Sequence, residues 1–277
     1  MIKQIKRINN NLDFNNLKDN QLSIQLSLDG FSFCIYNSTE NVINTFVQYA
    51  LSNVTTPYKH LELVEKIFSE DKLLQNKFEN IKVIHLNNLV TQVPLPFFNK
   101  EKLADYLKYT VKVLENDYIT FDELSNSEIA NVYIPFVNIN NFLLDKFGSF
   151  NFKHSSTVLI ESLINRYKNI DEELMFVNVS NLNFEIVVLK HHKLKLYNYF
   201  SFNTKEDFIY YILFTAEQLA MNPEELQLIL MGDIEKDSEL YNILFQYIRN
   251  IKFYTSNKKY NLEGISPHSH YTLLNQF

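Results

Sequence analysis

Residues 22–37 read LSIQLSLDGFSFCIYN. Apolar residues alternate with polar or small ones on both sides of a single Asp-Gly pair. The stretch predicts two antiparallel strands, 22–28 and 31–36, joined by a two-residue turn of the primed type at Asp29-Gly30, with Gly30 at positive φ. Far along the chain, residues 174–200 read LMFVNVSNLNFEIVVLKHHKLKLYNYF with the same rhythm. They predict strands at 174–179, 183–190 and 193–200.

The two halves also continue alike after these openings. In the first half a third strand is expected at 42–49. A helix comes next over about 58–78, opened near Pro57, with Leu61, Val64, Ile67 and Phe68 at helical spacing. A strand at 81–86, a helix at 99–114, a strand at 131–136 and a helix at 139–147 ending at Gly148 complete the run. VPLPF at 93–97 reads as an edge or loop, because two prolines remove ladder donors. A short strand at 150–154 leads to a helix capped by Ser155 or Ser156 and running to about 167. The second half continues with a helix at 204–220, a strand at 226–231, a helix at 238–249 and a final strand at 251–254. The chain therefore reads as an α/β protein built twice: a polar lead-in at 1–20, a first subdomain at 21–154 and a second at 155–277. Mixed sheets flanked by helices are expected, with the halves meeting near 150–172 around a cleft.

Composition narrows the function. Of 277 residues, 46% are hydrophobic, enough for a substantial core, and the net charge of −6 argues against a nucleic-acid partner. The single cysteine, Cys34, excludes an internal disulfide and a cysteine-based metal site. No run approaches the roughly 20 apolar residues that cross a bilayer, and the polar start lacks a signal-peptide core, so a cytoplasmic protein without membrane insertion is expected.

The duplicated pattern resembles the actin-like ATPase fold with its two ribonuclease-H-like subdomains. The second half looks most like the pilus-assembly and secretion members of that superfamily. The chain also resembles a Bacteroidota domain-of-unknown-function family to which an actin-like fold is attributed. The resemblance implies an Asp-x-Gly hairpin turn at the start of each subdomain, where backbone amides and a hydroxyl cradle phosphate and aspartates help to hold Mg²⁺. In QLSLDG, residues 25–30, Gln25 or Ser27 falls at the aspartate position, Asp29 sits at the tip and Gly30 comes after it. In NVSNLNF, residues 178–184, Asn178 stands at the aspartate position, Ser180 at the glycine and Asn183 at the hydroxyl, with Asn181 in the turn between them. The adenosine-side motif is LILMGD, in which Gly232 matches and Asp233 replaces a second glycine.

These are departures from the pattern that binds nucleotide. The chain has four glycines, where roughly 19 would be usual for its length. Close approach of backbone to an anion favours glycine, and phosphoryl transfer needs cationic or metal charge compensation. No catalytic residue, metal ligand or cofactor is therefore expected. The expectation is a non-catalytic actin-like scaffold, a pseudo-ATPase, that binds another protein. The rivals are a divergent nucleotide-binding ATPase in which Asp29 and Asp233 compensate for the missing aspartates, and a sugar-kinase-like enzyme.

Other features have plainer readings. Cys34 lies in an apolar strand as a core residue. His191-His192 reads as a solvated hairpin tip, His268 and His270 as part of a flexible or docked tail, and His60, His85 and His154 as structural histidines. Tyr197, Tyr199, Phe200 and Phe202 read as core packing, with a peptide groove as the alternative. No nucleophile elbow, zinc-protease helix or P-loop motif is present.

Overall fold

The computed structural model describes residues 1–9, 19–125, 127–256 and 264–276. The first lobe contains β1 (Ile2–Asn9), β2 (Asn20–Ser27), β3 (Gly30–Asn37), β4 (Val42–Leu51), α1 (Pro57–Glu70) and β5 (Asn80–His85). It continues with β6 (Val90–Pro94), α2 (Leu103–Leu107), β7 (Thr120–Glu123), β8 (Ile129–Tyr133), α3 (Val137–Phe147) and β9 (Asn151–His154). The second lobe contains α4 (Ser155–Arg166), β10 (Leu174–Val179), β11 (Asn183–Lys190), β12 (Lys193–Ser201) and α5 (Lys205–Gln218). After these come β13 (Gln227–Gly232), α6 (Glu239–Tyr247), β14 (Asn250–Phe253) and a short α7 (Tyr271–Asn275).

The sheets carry the duplication. The first has the order β1-β4-β3-β2-β5-β9 and the second β12-β11-β10-β13-β14. Without β1 the two orders are the same. In each, three antiparallel strands are joined, on the far side of the first of them, by two parallel strands. Parallel neighbours need crossovers, and the helices after the third strand supply them.

Alternation decides which face each strand buries. Leu22, Ile24 and Leu26 on β2 and Phe31, Phe33 and Ile35 on β3 pack with Val64, Ile67 and Phe68 of α1. In the second lobe, Val177, Ile186 and Val188 meet Phe208 and Ile212 of α5 and Leu244 of α6. The opposite face of that sheet, with Phe176, Val187 and Leu189, packs on Leu159, Ile160 and Leu163 of α4. Each such side chain contributes about 1.5–3 kcal/mol by leaving water.

Five expectations are corrected. The lead-in contains β1, an edge strand antiparallel to β4 with a register shift between Gln4 and Lys6. The bulge breaks strict alternation, and lysines suit an exposed edge, so the sequence reads there only as an extended or loose lead-in. The helix expected at 99–114 is a 3-10 turn at Lys100–Lys102 continued by α2. Beyond it, the β-branched Thr110, Val111 and Val113 disfavour helix, and both valines pack against a cluster of Val93, Leu107 and Val132. The strand at 131–136 is β8, ending at Tyr133, and it pairs with β6 and the unforeseen β7 in a small third sheet. The cap of α4 is His154, whose side chain accepts the Ser156 N–H, so Ser155 and Ser156 lie inside the helix.

The fifth correction concerns the turn between β2 and β3. Leu28 and Asp29 form the corner, and Gly30 is the first residue of β3, opposite Ser27. Among the described residues the glycines with left-handed φ are Gly148, Gly232 and Gly264, so Gly30 is not one of them. The Ser27 hydroxyl donates to Asp29 Oδ1 at 2.7 Å and reaches the Gly30 carbonyl at 3.3 Å. Side-chain bonding of this kind holds a tight corner without a primed turn.

Candidate functional site

The carboxyl ends of β2 and β10 face each other across the lobes, where ligands of α/β sheets usually bind. Between them lies a cleft of about 640 Å³. Ser27, Asp29 and Gly30 line it from the first lobe; Asn178, Ser180, Asn181, Gly232 and Asp233 line it from the second. Asn183 is not among these residues: its amide oxygen accepts the Ser201 hydroxyl at 2.7 Å, along the β11–β12 pair.

Asn178 occupies the floor by pairing across strands with Glu185. Its Nδ2 donates to Glu185 Oε2 at 2.9 Å, while the Tyr197 hydroxyl donates to Oε1 at 2.8 Å. Glu185 is buried, and burial pushes its carboxyl pKa up against these two hydrogen bonds. Burial raises the pKa of Tyr199, and the carboxylates of Glu185 and Asp29 add to the rise.

Gly232 ends β13 where the backbone comes closest to β10. A Cβ there would lie 2.0 Å from the Val179 carbonyl oxygen, and φ is +84°. Its N–H donates to the His268 carbonyl at 2.8 Å, and the next N–H, of Asp233, donates to Val179 at 2.8 Å. Both amides at the matched position are thus engaged by the chain itself. Glu235, whose carboxylate takes the Ser266 hydroxyl at 2.9 Å, adds a third acidic side chain to the lining. Gln25, the other candidate for the aspartate position, also lines the cleft and accepts the Thr272 hydroxyl at 2.6 Å. No lysine or arginine stands among the described lining residues.

Sequence reasoning missed the contribution of residues 264–272, which supply Gly264, Ser266, Ser269, His270, Tyr271 and Thr272 to the lining. Tyr271, Leu273 and Leu274 are buried, which accounts for the apolar character of this stretch. The remaining histidines behave as structural groups. His191 and His192 form the left-handed tip of the β11–β12 hairpin, with His192 Nε2 3.0 Å from Asp171. His268 is docked, donating to the Ile234 carbonyl at 2.8 Å. His60, His85 and His154 are buried, and burial is the first cause of their pKa values falling to about 4, 3 and 3. Of the aromatic run, Phe202 is buried and half-buried Phe200 packs with it on Phe184, while half-buried Tyr197 bonds Glu185; Tyr199 is half-buried as well. Among the described residues no group of three His, Cys, Asp or Glu side chains is arranged to hold a metal ion, and no helix is long and apolar enough to cross a membrane.

Two lobes with one strand order, facing each other across a cleft at their strand ends, define an actin-like ATPase fold. A Bacteroides thetaiotaomicron protein of actin-like ATPase fold and unknown function is similar over 95% of this chain and 98% of its own, at 24% identity and TM-score 0.80. PilM from a PilM-PilN type IV pilus biogenesis complex is a more distant match, at 11% identity and TM-score 0.52, covering 85% of this chain and 88% of the other. The chain belongs to the family described as Protein of unknown function (DUF3822), whose model matches residues 9–251. No curated protein matches it.

Proposed function

We infer that this protein is a non-catalytic actin-like scaffold that works by binding another protein. The observation that carries this reading is the charge of the cleft. Asp29 and Glu235 line it without a lysine or arginine among the described lining residues. A triphosphate there would meet like charge in a partly desolvated space, where repulsion is costly. Asn178, at a position where the resemblance implies a magnesium-holding carboxylate, is tied instead to buried Glu185. The Gly232 and Asp233 amides, which would otherwise be free to meet an anion, already have carbonyl partners. The residues present do not fit Mg-ATP. Isothermal calorimetry with Mg-ATP on the intact chain is expected to show no binding tighter than millimolar, with no phosphate release. Micromolar binding lost on substituting Asn178 would replace this reading with a divergent ATPase that uses Asp29 and Asp233.

The outer face of the second lobe offers such a partner a surface. Tyr210 and Phe214, one turn apart on α5, are 59% and 44% exposed, and their rings stack at 5.9 Å. On neighbouring α6, Phe245 is 58% exposed and stacks on Tyr241 at 6.1 Å. Glu206, Glu217 and Glu239 are exposed on the same two helices. Aromatic anchors within an acidic field select a partner segment with apolar residues and basic flanks. PilM is a structural relative found in complex with a protein, PilN. A labelled helical peptide of alternating leucine and lysine faces is expected to bind measurably by fluorescence anisotropy, and a leucine-glutamate counterpart is not. Binding of the basic peptide should be lost in the Tyr210→Ser, Phe214→Ser double variant. Retention in that variant would exclude this face.

A further inference from the structure

The C-terminal segment, residues 264–276, belongs to neither sheet yet touches both lobes. On the second lobe, the His268 carbonyl accepts the Gly232 N–H and the His268 ring donates to the Ile234 carbonyl, each at 2.8 Å. The same ring packs 4.6 Å from Phe253, and Ser266 bonds Glu235. Tyr271 is buried edge-on to Tyr254 at 4.7 Å, beside α4. Then the chain crosses. On the first lobe, Thr272 bonds Gln25 and the His270 ring lies 4.4 Å from Phe46. Leu273 and Leu274 complete a buried cluster with Cys34, Ile43 and Phe46, and Lys82 reaches the Gln276 carbonyl.

We propose that residues 264–276 are a clasp in cis, which closes the cleft and opens without unfolding either lobe. Both sheets are complete without it, since the segment contributes no strand to either ladder. Its hold rests on five buried side chains, His268, Tyr271, Thr272, Leu273 and Leu274, and on hydrogen bonds outside either ladder, a smaller set than the core of either lobe, which places it below both lobes in local stability. Opening has two coupled consequences. It frees the Gly232 amide, the one backbone donor at the cleft that the clasp itself occupies. It also uncovers the trough formed by Cys34, Ile43 and Phe46 on the outer side of the first sheet. Any ligand that takes the Gly232 N–H must displace the His268 carbonyl, so ligand and closed clasp exclude each other, and by linkage each weakens the other to the same degree. The clasp stands independently of whether the cleft takes nucleotide.

Cys34 gives a direct readout because it is the chain's single cysteine, fully buried, with its sulfur 3.8 Å from the Leu273 carbonyl. Labelling of the intact protein by an aromatic disulfide reagent is tracked at increasing urea below the unfolding transition. Clasp opening exposes little surface, so labelling should depend on urea with less than half the slope of global unfolding measured by circular dichroism. The Leu273→Ser, Leu274→Ser variant should label at least tenfold faster, with a larger radius of gyration by small-angle scattering. Labelling of the wild-type protein with the full slope of global unfolding would overturn the proposal, whether or not the variant folds. So would a folded variant whose labelling rate and scattering match those of the wild type. Neither measurement involves nucleotide, so its failure is separable from a failure of the scaffold reading.

Discussion

Gly232 and Gly30 both lie at strand ends beside the cleft, and their demands differ. At Gly232 a methyl group would sit 2.0 Å from the Val179 carbonyl oxygen, and φ of +84° is strained for any L side chain. The obstacle is backbone, the last paired residue of β10, so it yields only by opening that end of the β10–β13 ladder. Gly232→Ala should therefore cost more than about 2 kcal/mol. At Gly30 a Cβ would meet the Ser27 hydroxyl at 3.1 Å and the Tyr49 carbonyl at 3.5 Å, with no left-handed backbone to strain. A hydroxyl can rotate by a few tenths of an ångström, so Gly30→Ala should cost less than about 1 kcal/mol. Urea midpoints of the two variants check the contrast. Equal losses would show that the close approach at Gly232 is relieved elsewhere.

Histidines cluster where the strands of the first lobe end. His85 closes β5 and His154 closes β9, with His60 on α1 beside them. The His85 Nδ1 accepts the Phe136 N–H at 3.2 Å, and the His154 Nδ1 accepts the Ser156 N–H at 3.1 Å. Protonating either nitrogen would set two donors face to face in a buried site, so the neutral forms are held. All three folded-state pKa values lie below the unfolded value of 6.5. Their stabilising contribution is present above pH 6.5 and lost as pH falls toward 4 and 3, at about 1.4 kcal/mol per pH unit for each group. Asp122 and Glu185, whose pKa values are raised by burial, act in the opposite sense as the folded state takes up their protons. His85→Gln separates the two effects: its urea midpoint should decline less between pH 6.5 and 5 than that of the wild type. An identical decline would show that His85 contributes nothing to the acid sensitivity. These elements also show what sequence makes legible. Period-two alternation located β2, β3 and β10–β12, and Pro57 marked the start of α1, because each signal is local. The bulged β1 depends on β4, a partner distant in the chain, β7 is too short to show alternation, and the α4 cap is a histidine outside the usual capping residues, so no local pattern carries them. The same holds for the cleft. Asp29, Asn178 and Gly232 were placed through the resemblance to actin-like motifs, whereas Thr272 became part of the lining only through a 247-residue reach to Gln25.

The lobes share more than a covalent crossing between β9 and α4. Leu124 and Ile129, from the small sheet of the first lobe, pack in the same cluster as Leu159, Ile160 and Leu163 of α4. Asn131 of β8 donates to Ser156 and Thr157 at 2.8 Å each, and the Asp122 carboxylate accepts the Thr157 hydroxyl and the His154 N–H. Helix α4 is therefore anchored at its start by the first lobe and packed along its length against the second sheet. Unfolding one lobe alone would expose Leu159 and Leu163 and strand the buried Asn131 amide, a penalty of several kcal/mol on the lobe left behind. At residue 155 the chain passes from the first sheet to a helix packed on the second, and these ties predict that the lobes do not come apart there. The intact chain should unfold in one cooperative step, with calorimetric and van't Hoff enthalpies equal within error. Asn131→Ala should lower the midpoint and begin to split the transition, because it removes the polar tie while leaving both sheets whole. Two resolved transitions in the wild-type protein would show instead that the lobes fold as separate bodies and that the α4 anchor adds little between them.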